Sequence, residues 1–231
     1  MDDMPDSRQI ANTDHQAKGE LSTRGTVREL LETALYILLI FLLVRGMVQN
    51  FIIDGSSMEP TLHTEQYILV NKLIYYHFDL NAPLRLLPGN ADLPPRVLYP
   101  FYSPQRGEIV VFEYPRNVSK DYIKRVIGVA GDAVEVRDGA VFVNGEQLFE
   151  PYIDGVETRC FYGNACADGP VIVPEGHIFV MGDNRSNSSD SREWDALPLE
   201  RVIGQAWLIY FPFSDWGGVP HFAVPPVLGA Q

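Results

Sequence analysis

The longest apolar run in the chain is Thr33–Val44, TALYILLIFLLV, with no polar position after Thr33. As a helix this run alone rises only about 18 Å, short of the roughly 30 Å hydrocarbon core of a bilayer. Extended from Leu30 to Val48 it reaches roughly 28 Å, with Glu32 near one interface and Arg45 reaching back toward the other. The pattern therefore predicts one spanning helix over residues 29–49. Before it, residues 1–28 carry Asp2, Asp3, Asp6 and Asp14, then Lys18, Arg24 and Arg28, without an apolar period, and read as a mobile tail.

After the anchor the pattern changes to short β-branched runs between turn signals. Tyr67–Val70, Glu108–Phe112, Val134–Val136, Ala140–Val143, His177–Val180 and Ala206–Tyr210 read as strands. Asp138-Gly139 and Asn144-Gly145 fall at hairpin spacing, and no long helical period intervenes. The expectation is a mainly β fold: an antiparallel β-sheet domain over residues 50–231 behind an N-terminal transmembrane helix. Residues 79–106, rich in Pro and Leu, predict an irregular surface excursion or one that touches lipid.

The run has the length of a secretory signal, yet Arg45-Gly46-Met47-Val48-Gln49-Asn50 offers no A-x-A-like cleavage site, so an uncleaved anchor is expected. Lys18, Arg24 and Arg28 precede the helix and Arg45 alone follows it closely, which places the N-terminus inside and residues 50–231 outside the cytoplasm. A net charge of −12, with 30 acidic against 18 basic residues, argues against a nucleic-acid surface. The two cysteines, Cys160 and Cys166, flank a segment able to turn. With export their spacing predicts a disulfide, two free buried thiols being the alternative, and too few ligands accompany them for a metal site.

Three clusters carry candidate chemistry. The first, Gly55-Ser56-Ser57-Met58-Glu59-Pro60-Thr61-Leu62, holds a serine between a glycine-entered and a proline-exited turn. The second is Asp121-Tyr122-Ile123-Lys124-Arg125 within a strand-like stretch. The third is Gly182-Asp183-Asn184-Arg185-Ser186-Asn187-Ser188-Ser189-Asp190-Ser191-Arg192. A serine needs a base to become a nucleophile, and none of His15, His63, His77, His177 and His221 sits in a serine-hydrolase pattern. Read alone, Ser57 is a turn residue and Lys124 a solvated strand lysine.

Together the clusters resemble the bacterial type I signal peptidases, membrane-anchored Ser-Lys endopeptidases, from about Phe51 to Pro212. The resemblance implies Ser57 as nucleophile, with its own N–H as an oxyanion donor and Ser56 as second choice, and Lys124 as base. For that role the lysine pKa must fall from about 10.4 toward 7 to 8, which burial can achieve. Ser188 corresponds to the family serine that orients the lysine, and Asp190 with Arg192 is expected to form a supporting ion pair. Asp183, Asn184, Arg185 and Asn187 read as turn and hydrogen-bond scaffolding. Phe51, Ile53, Met58, Leu62, Tyr122 and Ile123 map onto the shallow family pockets for small side chains one and three residues before the cut. Where some members carry a serine with a second oxyanion hydroxyl this chain has Gly55, so that donor is missing or replaced. An inserted smaller β-lobe is expected around residues 131–176.

The implied function is removal of signal peptides from exported preproteins at the bacterial plasma membrane, with preproteins and the lipid bilayer as partners and no cofactor. Two rivals stay open: a Ser-Lys protease acting on itself or a regulatory protein, and an anchored β-domain that binds peptides without cutting them.

Overall fold

The computed structural model describes residues 7–76, 78–94, 96–99, 102–153, 155–160, 166 and 169–222, with residues 7–24 as backbone alone. It divides into two units, Met1–Gly46 and Met47–Gln231. In the first, α1 runs over Ser7–Met47, so helix begins well inside the segment read as a tail. Ser7–Met47 contains no proline and is rich in Leu, with Arg, Ala and Glu among the rest, which favour helix even where no apolar stripe exists. Within it, Gly25–Met47 is long and apolar enough to cross a membrane, and none of its most apolar window is buried by protein. The helix ends at Met47, so Val48 and Gln49, expected within the anchor, belong to a strand.

The strands of the second unit, in chain order, are β1 (Val48–Ile52), β2 (Tyr67–Asn71), β3 (Phe78–Asp79), β4 (Val97–Leu98), β5 (Ile109–Glu113), β6 (Asp121–Val129) and β7 (Ala133–Arg137). They continue with β8 (Ala140–Val143), β9 (Glu146–Gln147), β10 (Val171–Ile172), β11 (His177–Met181), β12 (Leu197–Pro198), β13 (Val202–Phe211) and β14 (Gly217–Gly218). A four-residue helix, α2 (Ser191–Trp194), caps the third sequence cluster. The main sheet has eight strands in the order β1-β2-β13-β5-β6-β11-β12, with β14 on β13. All of its pairings are antiparallel. A second sheet, β10-β7-β8-β9, is formed between residues 133 and 172.

Period-2 alternation explains how the main sheet is buried on both faces. On β5, Ile109 and Val111 join one core with Met58, Leu62, Ile68 and Val70, while Val110 and Phe112 join another with Val126, Ile178 and Val180. A third core of Ile127, Val134, Val141, Val143, Phe179 and Met181 holds the second sheet against the first. Close packing there requires Gly128, where a Cβ would lie 2.6 Å from Val134 Cγ2. The two expected hairpin turns join β7 to β8 and β8 to β9, with positive φ at Asp138 (51°), Gly139 (78°), Asn144 (56°) and Gly145 (83°). Such φ pairs match the right-handed twist of the flanking strands.

Between β2 and β5 the chain makes the proline-rich excursion. The Asp79 side chain organises its base, accepting from the Asn81 N–H at 2.9 Å and the Arg96 N–H at 3.0 Å and pairing with Arg85. Leu84, Leu86 and Leu87 remain exposed.

Candidate active site

Ser57 sits in the turn after β1, and the turn is held from both sides. Below it, Met58 and Leu62 are fully buried in the same core as Ile53, and the Leu62 N–H donates to the Met58 carbonyl at 2.9 Å. Above it, the Asn184 N–H donates to the Ser57 carbonyl at 3.1 Å, and Asn184 Nδ2 donates to the Ser56 carbonyl at 3.1 Å. Asn187 Nδ2 donates to Ser56 Oγ at 2.9 Å. The Asn residues of the third cluster therefore fix the backbone that carries the serines.

Lys124 lies on β6 with its side chain 3% exposed. Its Nζ is 2.7 Å from Ser57 Oγ and 2.8 Å from the Ile123 carbonyl oxygen, and 5.2 Å from the Tyr122 ring centre. Burial lowers its pKa from the ordinary lysine value to about 8, against the opposing negative charges of Asp190 and Asp183. A lysine with that pKa is partly neutral near pH 8, and the neutral amine can accept the serine proton. None of the described histidine side chains hydrogen-bonds Ser57. His221 instead accepts the Ile109 N–H at Nδ1, 3.1 Å away, and its Nε2 faces the Ala206 carbonyl at 2.9 Å. His77 lies outside the described residues.

The third cluster is a network of buried charges. Asp190 takes three bonds from Arg192, Nε at 2.9 Å, Nη2 at 2.8 Å and the backbone N–H at 3.2 Å, and one from the Gly182 N–H at 3.0 Å. Burial would raise the Asp190 pKa, but the Arg192 guanidinium and the Gly182 N–H outweigh it and hold the carboxyl below its usual range. Arg185 pairs with Glu150 and donates to Thr158 Oγ1 at 2.7 Å, linking the loop to the segment after β9. Nearby, a disulfide joins Cys160 and Cys166, whose Sγ lies 3.8 Å from the Arg192 carbonyl.

Ser188, expected to orient the lysine, makes no hydrogen bond to Lys124 among the described residues. Its Oγ is buried without a hydrogen-bond partner of normal geometry among the described residues, and the lysine is oriented by the Ile123 carbonyl. Ser188 Oγ packs over Gly182, where an added Cβ would come within 2.2 Å of it.

A cleft of about 630 Å³ opens beside Ser57 and Lys124. Phe51, Ile53, Tyr122 and Ile123 line it, as do Ile52, Asp54, Ile68, Val111, Lys120, Asp121, Asn187 and Ser189, which the sequence did not assign to the pocket. Met58 and Leu62 do not line it; both are core residues behind the turn. The sequence also gave no sign of the Arg125–Asp183 pair, formed by two bonds of 2.9 and 2.7 Å with both side chains fully buried. Thr61 completes it by donating to Asp183 Oδ2 at 2.5 Å. Only the position of Arg125 next to Lys124 and of Asp183 within a polar cluster could have hinted at it. Among the described residues no group of three or more His, Cys, Asp or Glu side chains is placed to hold a metal.

The site's chain matches the family model described as signal peptidase, peptidase S26, over residues 27–211. It is 33% identical over 208 residues to the probable signal peptidase I-1 of Synechocystis, covering 87% of this chain and 90% of that one. It is also 33% identical over 209 residues to signal peptidase I T of Bacillus subtilis, covering 88% and 94%. A solved signal peptidase I from Enterococcus faecalis aligns at 36% identity over 45% of this chain and 96% of that chain, with a TM-score of 0.39. The family match spans the apolar helix from residue 27, the serine turn, the lysine strand and the third cluster alike: the chain belongs to the signal peptidase family, peptidase S26, and is a hydrolase of the serine endopeptidase class.

Proposed function

We propose that this protein removes signal peptides from exported preproteins at the membrane surface, with Ser57 as nucleophile and Lys124 as general base and then acid. The observation that carries the reading is the 2.7 Å approach of Lys124 Nζ to Ser57 Oγ, together with burial that lowers the lysine pKa to about 8. The neutral amine takes the Ser57 proton as Oγ bonds to the scissile carbonyl carbon. The oxyanion then collapses, the C–N bond breaks, and Lys124 returns its proton to the departing amine. Water hydrolyses the acyl-enzyme by the same proton traffic in reverse. None of these steps calls for a cofactor.

The strand pattern supports a peptide substrate. Among the described residues β1 pairs only with β2, and β6 pairs with β11 only from Arg125 onward, so Phe51–Ile52 and Asp121–Lys124 each present an edge that no described strand covers. Both edges line the cleft, and an extended peptide can pair with them. Phe51, Ile53, Tyr122 and Ile123 then wall the pockets for small side chains near the cut. Gly25–Met47 anchors the enzyme, with the N-terminus cytoplasmic and the catalytic unit outside. Asp190 and Arg192 hold the loop over the serine turn.

The test uses the full chain in lipid with a signal-peptide-bearing preprotein. Wild type cleaves it, while Ser57→Ala and Lys124→Ala each abolish turnover and the double variant is little worse, because members of one catalytic unit are not additive. Sustained turnover in Lys124→Ala would overturn the assignment.

A further inference from the structure

An acyl-transfer site needs donors aimed at the oxygen on which charge develops, and a second donor beside the nucleophile's own N–H is worth orders of magnitude in rate. No hydrogen bond within the described residues engages the Ser57 N–H, which leaves it available. Gly55 offers no side chain: its φ is +108° and the space where a Cβ would stand is empty. Lys124 Nζ is committed to Ser57 Oγ and the Ile123 carbonyl.

Ser56 remains. It is a cleft-lining residue directly beside the nucleophile. Two side chains hold it: Asn184 Nδ2 binds its carbonyl at 3.1 Å, and Asn187 Nδ2 donates to its Oγ at 2.9 Å. A hydroxyl that accepts through its oxygen still has one proton to give. Among the described residues no acceptor takes that proton. A turn serine with no chemical role has no need of its hydroxyl being oriented by an amide from a loop more than a hundred residues away, the sequence separation being 131. The Asn187 bond both fixes the hydroxyl and, by donating to its oxygen, makes the remaining O–H a stronger donor.

We propose that Ser56 is a catalytic residue: its hydroxyl, oriented by Asn187, donates the second hydrogen bond to the oxyanion formed when Ser57 attacks the peptide carbonyl. The inference rests on the Ser57 and Lys124 reading above. Ser56 loses no proton and forms no bond to substrate. As Oγ of Ser57 bonds to the carbonyl carbon, the carbonyl π pair moves to oxygen, and the Ser57 N–H and the Ser56 O–H share the charge until the C=O bond re-forms. Asn187 is a positioning residue that acts through Ser56.

The experiment measures kcat and KM for preprotein cleavage by the full-length chain in lipid, across pH, for Ser56→Ala, Ser56→Thr, Asn187→Ala and the Ser56→Ala/Asn187→Ala double variant, with Ser57→Ala alongside. Ser56→Ala is expected to lower kcat about 100-fold. KM should change less than about twofold and the acid limb of the pH profile should not move, since transition-state stabilisation alone is lost. Ser56→Thr, which keeps the hydroxyl, should recover most of the rate. Asn187→Ala should lose about tenfold, and the double variant should be no slower than Ser56→Ala. Full kcat in Ser56→Ala, a change confined to KM, or additive losses in the double variant would each overturn the proposal. So would a Ser56→Ala enzyme as inert as Ser57→Ala, which would make Ser56 more than a donor. Activity in Ser57→Ala would instead refute the underlying reading, so the two failures are distinguishable.

Discussion

Arg125 grips Asp183 through two bonds, Nε to Oδ1 at 2.9 Å and Nη2 to Oδ2 at 2.7 Å, with neither side chain reaching solvent. Arg125 directly follows Lys124, and Asp183 directly precedes the Asn184 that binds the Ser57 carbonyl. One ion pair thus sets the distance between the lysine strand and the serine turn. Removing one partner strands a buried charge, so Arg125→Met should destabilise the catalytic unit by about 3 to 5 kcal/mol. Arg125→Met/Asp183→Leu should regain much of that stability in denaturant titrations, yet stay slow in cleavage because the spacing is lost. A double variant no more stable than the single would count against this account of the pair.

Gly182 is predicted to tolerate no side chain. A Cβ there would lie 2.2 Å from Ser188 Oγ and 2.4 Å from the Ser57 carbonyl oxygen, a backbone atom that cannot step aside without moving the nucleophile. Gly182→Ala should cost about 1 to 3 kcal/mol of stability, as overpacking does, and reduce kcat by more than tenfold in the protein that still folds, on the order of the loss from displacing reacting atoms by 1 Å. Thermal melts and steady-state kinetics on the same preparation check both.

Leu62 and Ile123 should separate core from pocket. Leu62 is fully buried away from the cleft, so Leu62→Ala should lower stability by about 2 to 5 kcal/mol without changing which substrates are cut. Ile123 lines the cleft and is half-buried, so Ile123→Ala should admit larger side chains near the cut, one methylene being worth about 1 to 3 kcal/mol. Substrate libraries varied at the positions one and three residues before the cut, profiled with both variants, read the difference.

Lys124 should weaken the fold that uses it. Its folded pKa, about 8, lies below the ordinary lysine value near 10.5, so the unfolded chain binds its proton more tightly. The penalty is fully present below pH 8, is relieved as pH rises from 8 to 10.5, and is gone above that range. At pH 7 it amounts to about 3 kcal/mol, since each unit is worth about 1.4. Lys124→Met should therefore be inactive yet more stable than wild type at pH 7, with the gap closing toward pH 10.5. Equal stability at pH 7, measured by denaturant titration, would contradict it.

The strands legible in the sequence were those with β-branched alternation and turn punctuation, as in Ala140–Val143 between Asp138-Gly139 and Asn144-Gly145. β1 was hidden because Val48-Gln49-Asn50 continues directly from the helix, and its strand state comes from pairing Val48 with Asn71 and Ile52 with Tyr67. Helix from Ser7 escaped notice because that stretch has no apolar stripe. At the site, the closeness of Ser57 to Lys124 depended on resemblance, since no local pattern brings residues separated by 67 positions together. Met58 and Leu62 were misplaced because an apolar residue beside a nucleophile reads the same whether it faces the cleft or the core. Arg125–Asp183 left only the hint of its neighbours in sequence, as buried ion pairs leave no periodic trace.

The most direct test of the Ser57 and Lys124 assignment is the pH dependence of kcat/KM for preprotein cleavage by the full chain in lipid. Neutral Lys124 is the form that accepts the serine proton, so kcat/KM should rise tenfold per pH unit on the acid side and level off near pH 8, the value burial gives the lysine. An acid limb that levels off near pH 6.5, where an ordinary histidine titrates, would contradict the account.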